Sequence, residues 1–152
     1  MIERRRLRVY VAGPISTGVF DGLHRGVAAG RQLFLDGLAP FVPHFDAFFF
    51  LPDGNWNAYL EYDLEYILTA DAVYRLAGES KGADLECQKA EELGIPVFYE
   101  QQYTVTEVLK DVYRQETRPG YYDLLAYAKS RGLDGRRPAK DGVVESAARD
   151  GA

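Results

Sequence analysis

The sequence predicts an α/β fold: a parallel sheet of four to five strands with helices on both faces. Three observations carry that expectation. Short apolar runs of strand length alternate with longer segments of helical period, the pattern of β-α-β units with right-handed crossovers. The first run, residues 7–12 (LRVYVA), lacks strict alternation, as expected of a strand buried on both faces. A chain of 152 residues, 47% hydrophobic and 27% charged, suits one domain that buries a core without disulfide or metal staples.

The elements follow in order. Gly13-Pro14-Ile15-Ser16-Thr17-Gly18 breaks the first strand. A helix over residues 21–36 sets Leu23, Val27 and Phe34 on one face and stops at Gly37. Residues 39–42 form a second short strand, ended by Pro43. An aromatic loop comes next, with His44, Phe45, Phe48, Phe49, Phe50 and Trp56. Residues 55–69 read as a helix and 72–76 as the third strand. A loop over 77–82 leads to a helix over 83–93, which Gly94 caps, and 96–99 is the fourth strand. Helical stretches at 106–115 and 121–130 complete a domain spanning 1–134. Residues 135–152 mix Gly, Pro and charge with little periodicity, so a flexible tail is expected there.

In a parallel sheet of this kind, ligands bind outside the carboxyl ends of the strands. The segments 13–18 and 77–82 and the aromatic loop are expected to meet there. The net charge of −5, with no basic helix, excludes polymeric nucleic acid as an expected partner. Cys87 is the lone cysteine, so no intrachain disulfide forms, which suits a reducing cytoplasm. The apolar stretch 9–15 is interrupted by Gly13 and Pro14. It is too short for a signal peptide or a membrane span, and no membrane partner is expected. His24 and His44 are the two histidines, too few for a histidine metal site. There is no P-loop and no complete dinucleotide fingerprint, which disfavours a kinase or dehydrogenase, and no cofactor is expected.

Two carboxylates fall on the wrong face of their helices. At about 100° per residue, Trp56, Tyr59, Leu60 and Ile67 share the side of Asp63, while Glu61 and Glu65 lie opposite. Glu86 shares its face with Ala83, Ala90 and Leu93, while Asp84, Gln88, Glu91 and Glu92 point elsewhere. An ionised carboxylate rarely faces a core without a partner or a task. The alternatives are a rim or capping role for Asp63 and a first-turn dipole role for Glu86.

Three motifs carry a family resemblance. Val9-Tyr10-Val11-Ala12-Gly13-Pro14-Ile15 resembles the first strand and loop of nucleoside 2-deoxyribosyltransferases and of their relatives, the deoxynucleoside monophosphate N-glycosidases. Asp63-Leu64-Glu65 before Ala70-Asp71-Ala72-Val73 resembles the helix aspartate that precedes the third strand. Ser80-Lys81-Gly82-Ala83-Asp84-Leu85-Glu86, then Ala90 and Gly94-Ile95-Pro96-Val97, resembles the glycine, catalytic glutamate, helix and strand of that family. The likeness covers residues 7–99 and extends to phage and bacterial proteins of unassigned function. It implies a Rossmann- or flavodoxin-like fold and a double displacement at the anomeric carbon of a nucleotide or nucleoside. Glu86 matches the nucleophile, Asp63 the residue that protonates the departing base, and Tyr10 the tyrosine that orients the nucleophile. Such an Asp63 needs a raised pKa and an ionised Glu86 beside it.

The resemblance further implies that Gly13, Pro14, Ile15, Ser16 and Gly82 line the site. Ser80 matches a serine that helps hold a 5′-phosphate, and Lys81 adds positive charge. Here the stretch Glu79-Ser80-Lys81-Gly82 replaces the threonine or acidic residue often found beside the loop glycine of the transferases. The substrate is therefore expected to be a 5′-monophosphate before a free nucleoside. His44 and Trp56 are candidates for base or sugar contacts, although a backbone-bonded histidine and a core or interface tryptophan are equally open. Family sites completed by a neighbouring subunit, together with a tyrosine-rich carboxyl-terminal half, imply a homodimer or higher homo-oligomer. A nucleotide-sensing module of the same fold without turnover is the alternative from another class. A phosphoribohydrolase of the cytokinin-activating type is disfavoured because its Gly-Gly-x-Gly-Thr loop is missing.

Overall fold

A computed structural model describes residues 5–15, 19–46, 54–100 and 119–135. The strands are β1 (Arg8–Ala12), β2 (Ala39–Phe41), β3 (Ala72–Arg75) and β4 (Val97–Tyr99). The helices are α1 (Val19–Leu35), α2 (Trp56–Ile67), α3 (Lys81–Glu92) and α4 (Tyr121–Ser130), with a 3-10 turn at Pro43–Phe45. The sheet order is β2-β1-β3-β4, with every neighbouring pair parallel. This is the expected parallel α/β sheet, in the flavodoxin-like order. The helical stretch expected at 106–115, residues 16–18, Phe48 to Phe50 and the tail beyond 135 lie outside the described residues.

Alternation along the strands divides the core in two. Val9 and Val11 point the same way as Tyr74, Leu76 and Phe98, against Leu33 of α1 and Leu124 and Ala128 of α4. Tyr10, Ala12, Val73 and Val97 point the other way, against Ile67 of α2 and Ala83, Cys87 and Ala90 of α3. Helices thus cover both faces, which is why Val9 to Ala12 read as a continuous apolar run after the exposed Arg8.

The structure corrects the reading of α1. Leu23 is half-buried, while Val27 is 41% and Phe34 59% exposed. Among the described residues 21–35 the buried positions are Gly22, Gly26, Gly30 and Leu33. A Cβ on Gly22 would stand 2.5 Å from the Pro14 carbonyl oxygen, one on Gly26 2.8 Å from the His44 ring, and one on Gly30 2.7 Å from Val42. The helix turns a glycine stripe inwards so that its backbone can press against the first loop and the end of β2. Apolar periodicity misses such a face because glycine carries no hydrophobic weight.

That close approach helps position the carboxyl edge of the sheet. The Leu76 amide donates to the Ala12 carbonyl at 2.7 Å, and a Cβ on Gly13 would stand 2.9 Å from Leu76. Gly78, at φ +112°, lies against Pro14, a backbone conformation that favours glycine. The loops after β1 and β3 therefore lie side by side. The chain leaves β1 for β2 on one side and β3 for β4 on the other, so these loops flank the crevice where ligands sit in such sheets.

Candidate active site

α2 starts at Asn55, whose side chain accepts from the Ala58 amide at 3.1 Å, a normal N-cap. Its buried residues are Tyr59, Asp63 and Ile67, a stripe one helical turn apart. Glu61 and Glu65 are exposed. Asp63 is completely buried.

α3 starts earlier than apolar periodicity indicates. Ser80 is its N-cap and accepts from the Ala83 amide at 3.2 Å. With Lys81 as the first helical residue, Glu86 lies in the second turn, and the acid of the first turn is Asp84. The free amides of a helix belong to its first turn, so the expected dipole support for Glu86 is lost. Burial instead pushes its carboxyl up to about 7, opposed by the Tyr10 hydroxyl and the Arg75 charge.

Tyr10 joins the sheet to this helix. Its buried hydroxyl donates to Glu86 Oε1 at 3.0 Å. Burial, then the charges of Glu86 and Asp63, push the phenol well above its ordinary pKa, so it remains a donor. Burial pushes Asp63 up to about 8. The charges of Glu86 and Asp46 add to that rise, and the Tyr59 and Tyr10 hydroxyls oppose it. Neither Asp63 oxygen meets a donor in hydrogen-bond geometry. Glu86 has the Tyr10 hydrogen bond and the Arg75 charge on its side, whereas Asp63 faces the charges of Glu86 and Asp46. When the pair holds one proton, that proton belongs on Asp63. Two carboxyls are thereby split into an ionised group and an acid.

The other expected residues are placed as follows. Gly13 and Pro14 are buried and Ile15 half-buried in the loop after β1. Ser80 and Gly82 are half-buried and Lys81 exposed at the amino end of α3. His44 is buried against Gly26. Burial and the Arg25 charge push it down to about 4, opposed by a backbone contact with Pro14, so it is neutral near pH 7. Trp56 is 48% exposed and meets the Tyr59 ring edge-on at 5.8 Å. Ser16 lies outside the described residues. The structure thus brings Tyr10, Asp63 and Glu86 together, while Trp56 stays at the surface.

Three neighbours were missed in the sequence. Tyr59 donates to the Pro43 carbonyl at 2.7 Å. Phe41 stacks between Tyr10 and Tyr66, at 5.8 and 4.3 Å. Arg75, buried at the end of β3, donates to the Leu76 carbonyl, to that of Gly78 at 2.9 Å and to Asp84 at 2.9 Å. The signal for Arg75 was present: a charge within an otherwise apolar strand is the same anomaly as Asp63 within an apolar helix face.

Fold and site together define an α/β protein with a buried acid pair at the carboxyl edge of its sheet. Residues 7–99 match the model of a family described as a domain of unknown function (DUF4406), and the chain belongs to that family. A solved 2-deoxyribosyltransferase from the psychrotolerant bacterium Bacillus psychrosaccharolyticus is similar in fold. It is 21% identical, with a TM-score of 0.50, over 65% of this chain and 78% of that one. No curated protein matches significantly.

Proposed function

We propose that the chain cleaves the N-glycosidic bond of a nucleoside 5′-monophosphate or nucleoside, releasing or exchanging the base. The observation that carries this reading is the buried hydrogen bond from Tyr10 to Glu86 beside a fully buried Asp63 that has no donor. A Glu86 carboxylate oxygen attacks the anomeric carbon. The bond from that carbon to the base nitrogen breaks, its electron pair leaves with the base, and the base takes the Asp63 proton. Water or a second base then displaces the Glu86 ester, gives its proton to Asp63, and restores both the carboxylate and the acid, as in a retaining glycosidase. The shared fold of a 2-deoxyribosyltransferase is compatible with this chemistry.

Gly13, Pro14, Ile15, Ser16 and Gly82 line the sugar and phosphate side of the proposed site. Ser80 accepts the Ala83 amide through its oxygen, which leaves its hydroxyl proton for a phosphate oxygen. Lys81 and the amino end of α3 add positive potential there. His44, as a neutral imidazole, and Trp56 serve base recognition. The working form is a homodimer or higher homo-oligomer in the cytoplasm.

Incubation with a panel of nucleosides and 5′-monophosphates tests the reading through the free base released. Release from at least one substrate is expected, and from monophosphates before nucleosides. Tight binding of a nucleotide without release would instead mark a sensing module.

A further inference from the structure

The inference concerns the face of the sheet away from the acid pair. Tyr74 points there with Val9, Val11 and Leu76, while Tyr10 points to the other side. On that face a cavity of about 310 Å³ opens between α1 and α4. Ala28 and Ala29, the rings of Tyr74 and Tyr121, and the charged pair Arg25 and Glu100 line it. The two rings meet edge to face at 5.4 Å. Tyr74 is 6% exposed, and its hydroxyl, unlike that of Tyr121, has no hydrogen-bond partner among the described residues. A buried tyrosine hydroxyl ordinarily has one. Burial and the Glu100 charge hold this phenol above its ordinary pKa, against the Arg25 charge, so it keeps its proton.

The polar edge of the cavity is fixed. Arg25 donates to Glu100 at 2.7 Å, and the same Glu100 oxygen accepts from the Ala77 amide at 2.8 Å. The pair carries no net charge, so an anion gains nothing there over a neutral ligand. The remaining N–H groups of Arg25 can donate, and the second Glu100 oxygen can accept. Ligand cavities span about 300 to 1,000 Å³, so this one suits a ring system rather than a whole nucleotide. The geometry points to a second ligand site on this face, distinct from the acid pair. It takes a neutral planar N-heterocycle with a donor and an acceptor side by side on one edge, the chemistry of a free nucleobase. The ring lies against the tyrosines and the alanine methyls, and its edge meets the Tyr74 hydroxyl and the Arg25–Glu100 pair.

Titration of the protein with adenine, cytosine and uracil tests this, with ribose 5-phosphate as an anionic control that has no aromatic ring. The readout is the carbon-13 methyl signals of Ala28 and Ala29, assigned by their loss in Ala28→Ser and Ala29→Ser. A ring stacked in the cavity shifts both, whereas a base held at the acid pair lies across the sheet from them. At least one base is expected to shift both signals saturably, and ribose 5-phosphate neither. Tyr74→Phe removes the unpartnered hydroxyl and keeps the ring. Affinity should then fall about five- to tenfold, the worth of one net hydrogen bond. Ala28 is exposed on α1, so Ala28→Leu fills the cavity without disturbing the core and should abolish the Ala29 shift. That variant carries the test should Tyr74→Phe fail to fold. No shift with any base at millimolar concentration overturns the inference. So does a shift that survives Ala28→Leu, an affinity unchanged in Tyr74→Phe, or a response to ribose 5-phosphate alone. The titration follows binding only, so this site and the proposed activity fail separately. A shift without base release sinks the activity, and base release without a shift sinks the second site.

Discussion

Asp63 spends stability to remain an acid. Its folded pKa of about 8 lies above its ordinary value of 3.8. The folded state therefore holds a proton that the unfolded chain has released throughout that window. The contribution of Asp63 to stability is complete below the ordinary value and is lost as pH rises through the folded one. Asp63→Asn is accordingly expected to stabilise the protein by about 1 kcal/mol or more at the alkaline end. At the acid end it should change little. Denaturant titrations at both ends check this, and equal effects at both would mean that Asp63 titrates normally. Asp63 and Glu86 were legible in the sequence because a charge on an apolar helix face is rare enough to stand out. Tyr59 was not, because a tyrosine in an apolar stripe is ordinary core until its hydroxyl partner, Pro43, is seen sixteen residues away.

At the scale of elements, α1 and α3 show what periodicity can and cannot supply. The packing of α2 and α3 against the sheet runs through Ile67, Ala83 and Ala90, residues whose apolar weight registers. α1 packs through Gly22, Gly26 and Gly30 instead, and Leu23, Val27 and Phe34 are left on a more exposed side. Gly22→Ala measures how much that stripe matters. Alanine is the better helix former by about 1 kcal/mol, so an exposed site would gain stability. At Gly22 the added carbon meets the Pro14 carbonyl oxygen. A net loss of about 1–3 kcal/mol is expected, with impaired base release because the first loop must move. A gain in melting temperature would contradict the packing described. The cap at Ser80 carries a similar lesson: reading from the apolar residues began α3 at Ala83, and the hydroxyl that starts the helix moved Glu86 from the first turn to the second.

For the whole molecule, the parallel sheet was legible because each strand is punctuated by Gly or Pro and followed by a helical period. The left and right placement of crossovers then puts the loops after β1 and β3 together. Assembly is a separate proposal: Tyr122 is 84% exposed, an aromatic surface of the kind that interfaces cover. A homodimer or larger mass by sedimentation at micromolar concentration is expected, and a monomer would contradict shared sites. The central claim is that this fold serves a glutamate nucleophile. Base release by the parent and by Glu86→Gln, measured side by side on the same substrates with the fold of each checked by melting, tests it most directly. The parent is expected to release base and the folded Glu86→Gln protein to release none, because an amide of similar shape is a poor nucleophile. Release at the parent rate by Glu86→Gln would contradict the account.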